Sequence, residues 1–121
     1  MRKVGAIGIG LLLLSAAALP ALAQSQNVLE FLDGSELLSL GAQDQFAAQS
    51  YVTGVVDSSL AAGTMGIGTN QGHATTCLPE HATQAELYSV VVQYVTKHTD
   101  AQQFPAAADV GLALGQAYPC G

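Results

Sequence analysis

The chain contains two cysteines, Cys77 and Cys120. A bond between them would close a loop of about 40 residues and remove about 4 kcal/mol of unfolded-chain entropy. Whether it forms depends on the compartment, and the N-terminal residues speak to that. Arg2 and Lys3 precede an almost uncharged apolar run from Val4 to Pro20, with Leu11 to Leu14 at its centre, and Ala21-Leu22-Ala23 follows. This is the pattern of a secretory signal peptide over residues 1–23, cleaved before Gln24. The run is short for a bilayer span and polar Gln24-Ser25-Gln26-Asn27 comes directly after it, which disfavours a retained anchor. A lone cysteine pair in an exported chain is expected to be a bridge, pinning the end of the last helix to the segment ahead of Thr83.

Export leaves a mature domain over residues 24–121, enough for a single core and too little for two. It also removes two of the three basic residues, so Lys97 alone stands against nine acids. Nucleic acid and anionic membrane are poor partners for such a surface, since either needs a basic face. Acidity of this degree serves solubility first and docking onto a basic protein second.

Apolar positions recur at helical rather than strand spacing, which predicts an all-α fold: a small single-domain bundle of about four helices with one disulfide. The clearest helix starts at Thr83, where Thr83-x-x-Glu86 forms a capping box, and Leu87, Val90, Val91, Tyr94 and Val95 line one face up to Lys97 and His98. Pro105 suits the first turn of a last helix carrying Val110, Leu114 and Tyr118, stopped by Pro119. Asp44 to about Leu60 reads as a central helix, apolar on several sides through Phe46, Tyr51, Val52, Val55, Val56 and Leu60. Gly54 and Gly111 each cost such helices up to about 1 kcal/mol, which predicts a close backbone approach at both. Ser35 to Leu40 reads as a further short helix after an Asp33-Gly34 turn, and Val28 to Leu32 is ambiguous. Gly63 to Thr76, with four glycines and no periodicity, is expected to be a long flexible loop.

No catalytic, cofactor or metal constellation emerges. Gly63-x-x-Gly66-x-Gly68 lacks a preceding strand and a following lysine, which argues against phosphate binding. His73, His81 and His98 share no helical i, i+4 spacing, so a metal would need ligands from elsewhere. Cys77 with His81 is better explained by a bridge than by a thiol nucleophile, and the serines, Ser58 and Ser59 among them, sit in no nucleophile elbow. The chain reads as a non-enzyme with no cofactor.

The segments Gly34-Ser35-Glu36-Leu37-Leu38, Tyr51-Val52-Thr53-Gly54-Val55-Val56-Asp57, Cys77-Leu78-Pro79 and Tyr118-Pro119-Cys120 stand in order. Thr83, Gln84, Tyr94, His98 and Ala107 fall between the last two. Together they resemble the Rap/Tai family of type VI secretion immunity proteins over most of the mature chain, most specifically through C-x-P and the terminal aromatic-Pro-Cys. Many members carry a second cysteine pair where this chain has Gly41 and Ala48, and His98-Thr99-Asp100 replaces the usual His-Pro-Glu.

The resemblance implies a small helical periplasmic protein that binds a type VI secreted peptidoglycan amidase and occludes its cleft. It also implies a homodimer, although the apolar stripes do not separate a dimer face from the core. The Gly63 to Thr76 loop is the candidate inserting element, with Met65 and Ile67 as apolar anchors and Asn70 and His73 beside them. A rival of another class is a periplasmic acid-stress chaperone triggered by protonation of its carboxylates; one lysine is few for that role.

Overall fold

The computed structural model describes residues 31–68 and 72–121. The expected signal peptide, its cleavage point before Gln24 and residues 28–30 lie outside them. The described chain runs α1 (Gly34–Gln43), α2 (Gln45–Ala62), β1 (Met65–Ile67), β2 (Thr76–Leu78), α3 (Gln84–Lys97), a 3-10 turn (Thr99–Gln103) and α4 (Ala106–Ala117).

Each helix begins where local chemistry favours it. Thr83 accepts from the Glu86 amide at 3.1 Å while the Glu86 carboxylate accepts from the Thr83 amide at 2.9 Å, the expected reciprocal cap. Asp33 and Glu36 make the same box ahead of α1, both bonds at 2.8 Å. Asp44 serves two helices at once: its amide donates to the Leu40 carbonyl, ending α1, and its carboxylate accepts from the Ala47 amide, starting α2. Gly63 ends α2 with φ 80°, a left-handed cap that a residue with a Cβ adopts only with strain.

The core forms where the helices face one another. Leu37 from α1, Val52 and Val56 from α2, Val91 and Val95 from α3, and Val110 and Leu114 from α4 are all buried there. Met65 and Leu78 complete it from the two strands. The α3 stripe follows its periodicity, with Leu87, Val91 and Val95 buried and Val90 and Tyr94 packed at the edge.

Four expectations need correction. The fold is mostly helical but not all-α: β1 and β2 pair in parallel, Met65 opposite Thr76 and Ile67 opposite Leu78. The segment between Gly63 and Thr76 is therefore not wholly a structureless loop. Phe46, expected to pack, is 75% exposed near the start of α2. A Cβ built on Gly54 or Gly111 would meet nothing within 4 Å, so neither glycine serves a close approach inside this fold.

The last segment is tied to β2 as a third extended stretch. The Cys77 amide donates to the Tyr118 carbonyl at 2.9 Å and the Cys120 amide to the Thr75 carbonyl at 3.2 Å. The Cys77–Cys120 disulfide closes this pairing, its Cα atoms 5.0 Å apart. A Cβ on Gly41 would lie 3.7 Å from the Ala48 Cβ, a spacing that would suit a bridge. The Tyr88 hydroxyl takes up that space here.

Candidate functional site

The strand pair forms from two short apolar triplets that could not hold each other alone. Backbone bonds on both flanks fix them: the Thr75 amide donates to the Thr64 carbonyl at 3.2 Å and the Gly68 amide to the Leu78 carbonyl at 2.8 Å. Two positions apart, Met65 and Ile67 fall on the same side of the strand, and burial drops along its length, from buried at Met65 and Gly66 to exposed at Ile67. Met65 is 5% exposed and belongs to the core, whereas Ile67 stands 50% exposed at the end of β1. Met65 is thus a packing residue and not the surface anchor expected of it. His73 is exposed, and Asn70 lies outside the described residues.

Ile67 borders a groove of about 180 Å3 between α2, the strands and the start of α3. Val56, Leu60, Leu78 and Leu87 supply its apolar lining, and the exposed carboxylates of Asp57 and Glu80 stand at its edge. Glu80 lies against the turn after β1, where a Cβ on Gly68 would meet its Oε1 at 3.0 Å. Lys97, the one described lysine or arginine, lines a different depression of about 290 Å3 between α3 and α4, with Tyr94, His98 and Gln116. A broader hollow of about 540 Å3 lies along α2 beside Ser50, Gly54, Ser58 and Ala107.

The first groove has the chemistry of a docking surface. An apolar floor accepts an aliphatic stem, and two carboxylates accept a cationic tip, which together suit a lysine or arginine presented by a partner. Asp57 closes the Tyr51-to-Asp57 segment whereas Glu80 carries no local motif, and that both line one groove depends on packing α2 against the segment after β2. Among the described residues, no group of three or more His, Cys, Asp or Glu side chains could hold a metal ion.

A family model described as Rap1a immunity proteins matches residues 30–120. The chain belongs to the Rap1a immunity protein family. The match runs from just before Phe31 to Cys120 and so takes in α1, both strands and the disulfide. Comparisons with curated proteins and with solved structures gave no match. Membership marks this Rap1a-family chain as an immunity protein, a binder of a secreted toxin effector. Among its described residues no helix is long and apolar enough to cross a membrane.

One further side chain stands apart from the groove. Asp109, in the first turn of α4, is fully buried, and neither carboxyl oxygen has a hydrogen-bond partner. Burial first, then the charges of Asp100 and Asp33, raise its pKa from 3.8 to about 6. Its position explains the buried Gly34 at the start of α1: a Cβ there would collide with Asp109 Oδ2 and come within 2.6 Å of the Ala101 carbonyl oxygen.

Proposed function

We propose that this Rap1a-family protein is exported, cleaved before Gln24, and binds a type VI secreted peptidoglycan amidase in the periplasm, occluding its cleft. The observation that carries the reading is the half-exposed Ile67 beside an apolar, acid-edged groove, on the segment between α2 and α3. Inhibition of this kind requires a buried anchor and shape complementarity rather than a reacting group. Ile67 is the anchor, His73 contributes from the same segment, and Asp57 and Glu80 receive a basic side chain of the effector. Asn70 belongs to the same inserting segment. The protein acts stoichiometrically, without turnover and without a cofactor.

The test is peptidoglycan cleavage by an amidase encoded beside this chain, titrated with the oxidised mature domain. Inhibition complete near equimolar ratio supports the reading. Undiminished cleavage at several-fold excess rejects it for that pair. Ile67→Asp and Glu80→Lys should each weaken inhibition at least 10-fold while the helical spectrum is retained. Full inhibition by both variants rejects the groove and leaves the immunity reading standing.

We also propose that the hollow along α2 seats a second copy of the chain. Phe46, Ser50, Gly54 and Ser58 recur every four residues on one helical face, and Gly54 opens onto space that nothing in the fold fills. The approach that the glycine permits is then intermolecular. Sedimentation of wild type against Gly54→Leu checks this, with a shift to monomer expected in the variant.

A further inference from the structure

Among the described residues, Asp109 is the one buried charged side chain, and it lies outside the proposed groove. It sits where four elements meet: the start of α1 at Gly34, the 3-10 turn at Ala101, Tyr51 of α2, and its own helix α4. The backbone there is closely tied. The Gly34 amide donates to the Phe104 carbonyl at 3.0 Å, and the Ala106 amide to the Leu32 carbonyl at 2.7 Å. A water-excluded carboxylate in such a junction needs a donor or a cation, and none is supplied.

Of the groups around it, some have the wrong sign, some are engaged elsewhere, and none donates to its oxygens. Asp33 and Asp100 act on it as like charges from the α1 start and the 3-10 turn. Glu36 is committed to the Asp33 amide. The Tyr51 hydroxyl has its own pKa raised, first by burial and in smaller part by the Asp109 charge, while the Ala107 amide opposes the shift. From the α3 side, His98 bonds through Nδ1 to the Tyr94 carbonyl and stacks on that ring. Lys97 lies beside Gln116 and Ala117, at the other end of α4. The neighbour beyond Gly34 is the Ala101 carbonyl oxygen, another acceptor.

We propose that Asp109 is a proton-sensitive clamp, whose neutral carboxyl holds the starts of α1 and α4 against the 3-10 turn and whose ionisation loosens that junction. The ionised group faces acceptors and like charges, whereas the neutral acid carries a proton it can donate and no charge to desolvate. A pKa of about 6 in the fold against 3.8 unfolded gives the direction. The folded chain takes up a proton that the unfolded chain does not. The stabilisation is therefore fully present below 3.8 and is lost as pH rises through about 6.

The experiment uses the oxidised mature protein and the variant Asp109→Asn, which keeps shape and polarity without ionising. Folding equilibrium constants are measured by denaturant titration at pH 4.5 and 7.5. Acidification should favour wild-type folding over that of the variant by about 20-fold, with protection of the Gly34 and Ala106 amides from hydrogen exchange rising in parallel. An equal pH response in the two proteins overturns the proposal. Should the variant fail to fold, the 13C shift of the wild-type Asp109 carboxyl decides. A midpoint near 6 supports the clamp, and one near the ordinary carboxylate value of about 4 overturns it.

Discussion

The junction around Asp109 and the groove beside Ile67 break the usual partition of side chains in opposite ways. At the junction a carboxyl group is sealed from water without a partner; at the groove an isoleucine stands half in water next to two free-standing carboxylates. The first arrangement acts on the stability of the fold, since desolvating a charge opposes folding whenever the group ionises. The second costs folding little, because an apolar side chain left exposed merely forgoes burial. Its consequence appears only when a partner covers it. The proposed binding groove and the proposed clamp occupy different parts of one small domain, and substitutions should separate them.

The largest effect should come from within the strand that carries the groove. Met65 and Ile67 are two positions apart, yet Met65→Asp places a charge in the core and should cost on the order of 4 kcal/mol, read as a lowered denaturation midpoint. If that variant were as stable as wild type, the division of β1 into a core end and a docking end would fail.

Next comes the junction itself. Gly34→Ala pushes a methyl group into the Asp109 carboxyl and the Ala101 carbonyl, both parts of a tightly bonded backbone corner, and should cost about 3 kcal/mol. Loss of Asp109 ionisation is the middle case: between pH 7.5 and 4.5 wild type should gain roughly 2 kcal/mol relative to Asp109→Asn. The acid-stress chaperone reading requires loosening on acidification, and this group works in the reverse direction. Gly54→Ala is the control for Gly34, with an added methyl that meets nothing. It should raise helix stability by up to about 1 kcal/mol under conditions that keep the protein monomeric.

The smallest stability change belongs to Ile67→Asp, within about 0.5 kcal/mol by thermal or denaturant unfolding, because the side chain is half exposed. The same variant should lose amidase inhibition. A large loss of stability there would show Ile67 to be a packing residue and would dissolve the contrast with Met65.

Helix positions were legible in the residues because what starts and stops a helix is local. Thr83 and Glu86 are three apart, as are Asp33 and Glu36, and each pair satisfies the same first turn it encodes. The Asp33 box is hidden in the residues because Asp33-Gly34 is also a turn dipeptide. The disulfide followed from two cysteines in an exported pattern, and the family from short motifs spread over the chain. Strands β1 and β2 were not legible. Three-residue triplets among glycines have no period of their own, and their backbone partners come from each other and from Tyr118 to Cys120.

The sequence alone determined the helices, their caps, the single bridge and the acid excess, all of which depend on residue type and near neighbours. Only the tertiary structure decided which end of β1 meets water, that Asp57 and Glu80 share a groove, and that Asp109 is sealed behind Gly34. Those outcomes depend on side chains brought together from distant parts of the chain. Burial, and with it the availability of an apolar anchor or the pKa of a carboxyl group, is a property of that assembly and has no local signature.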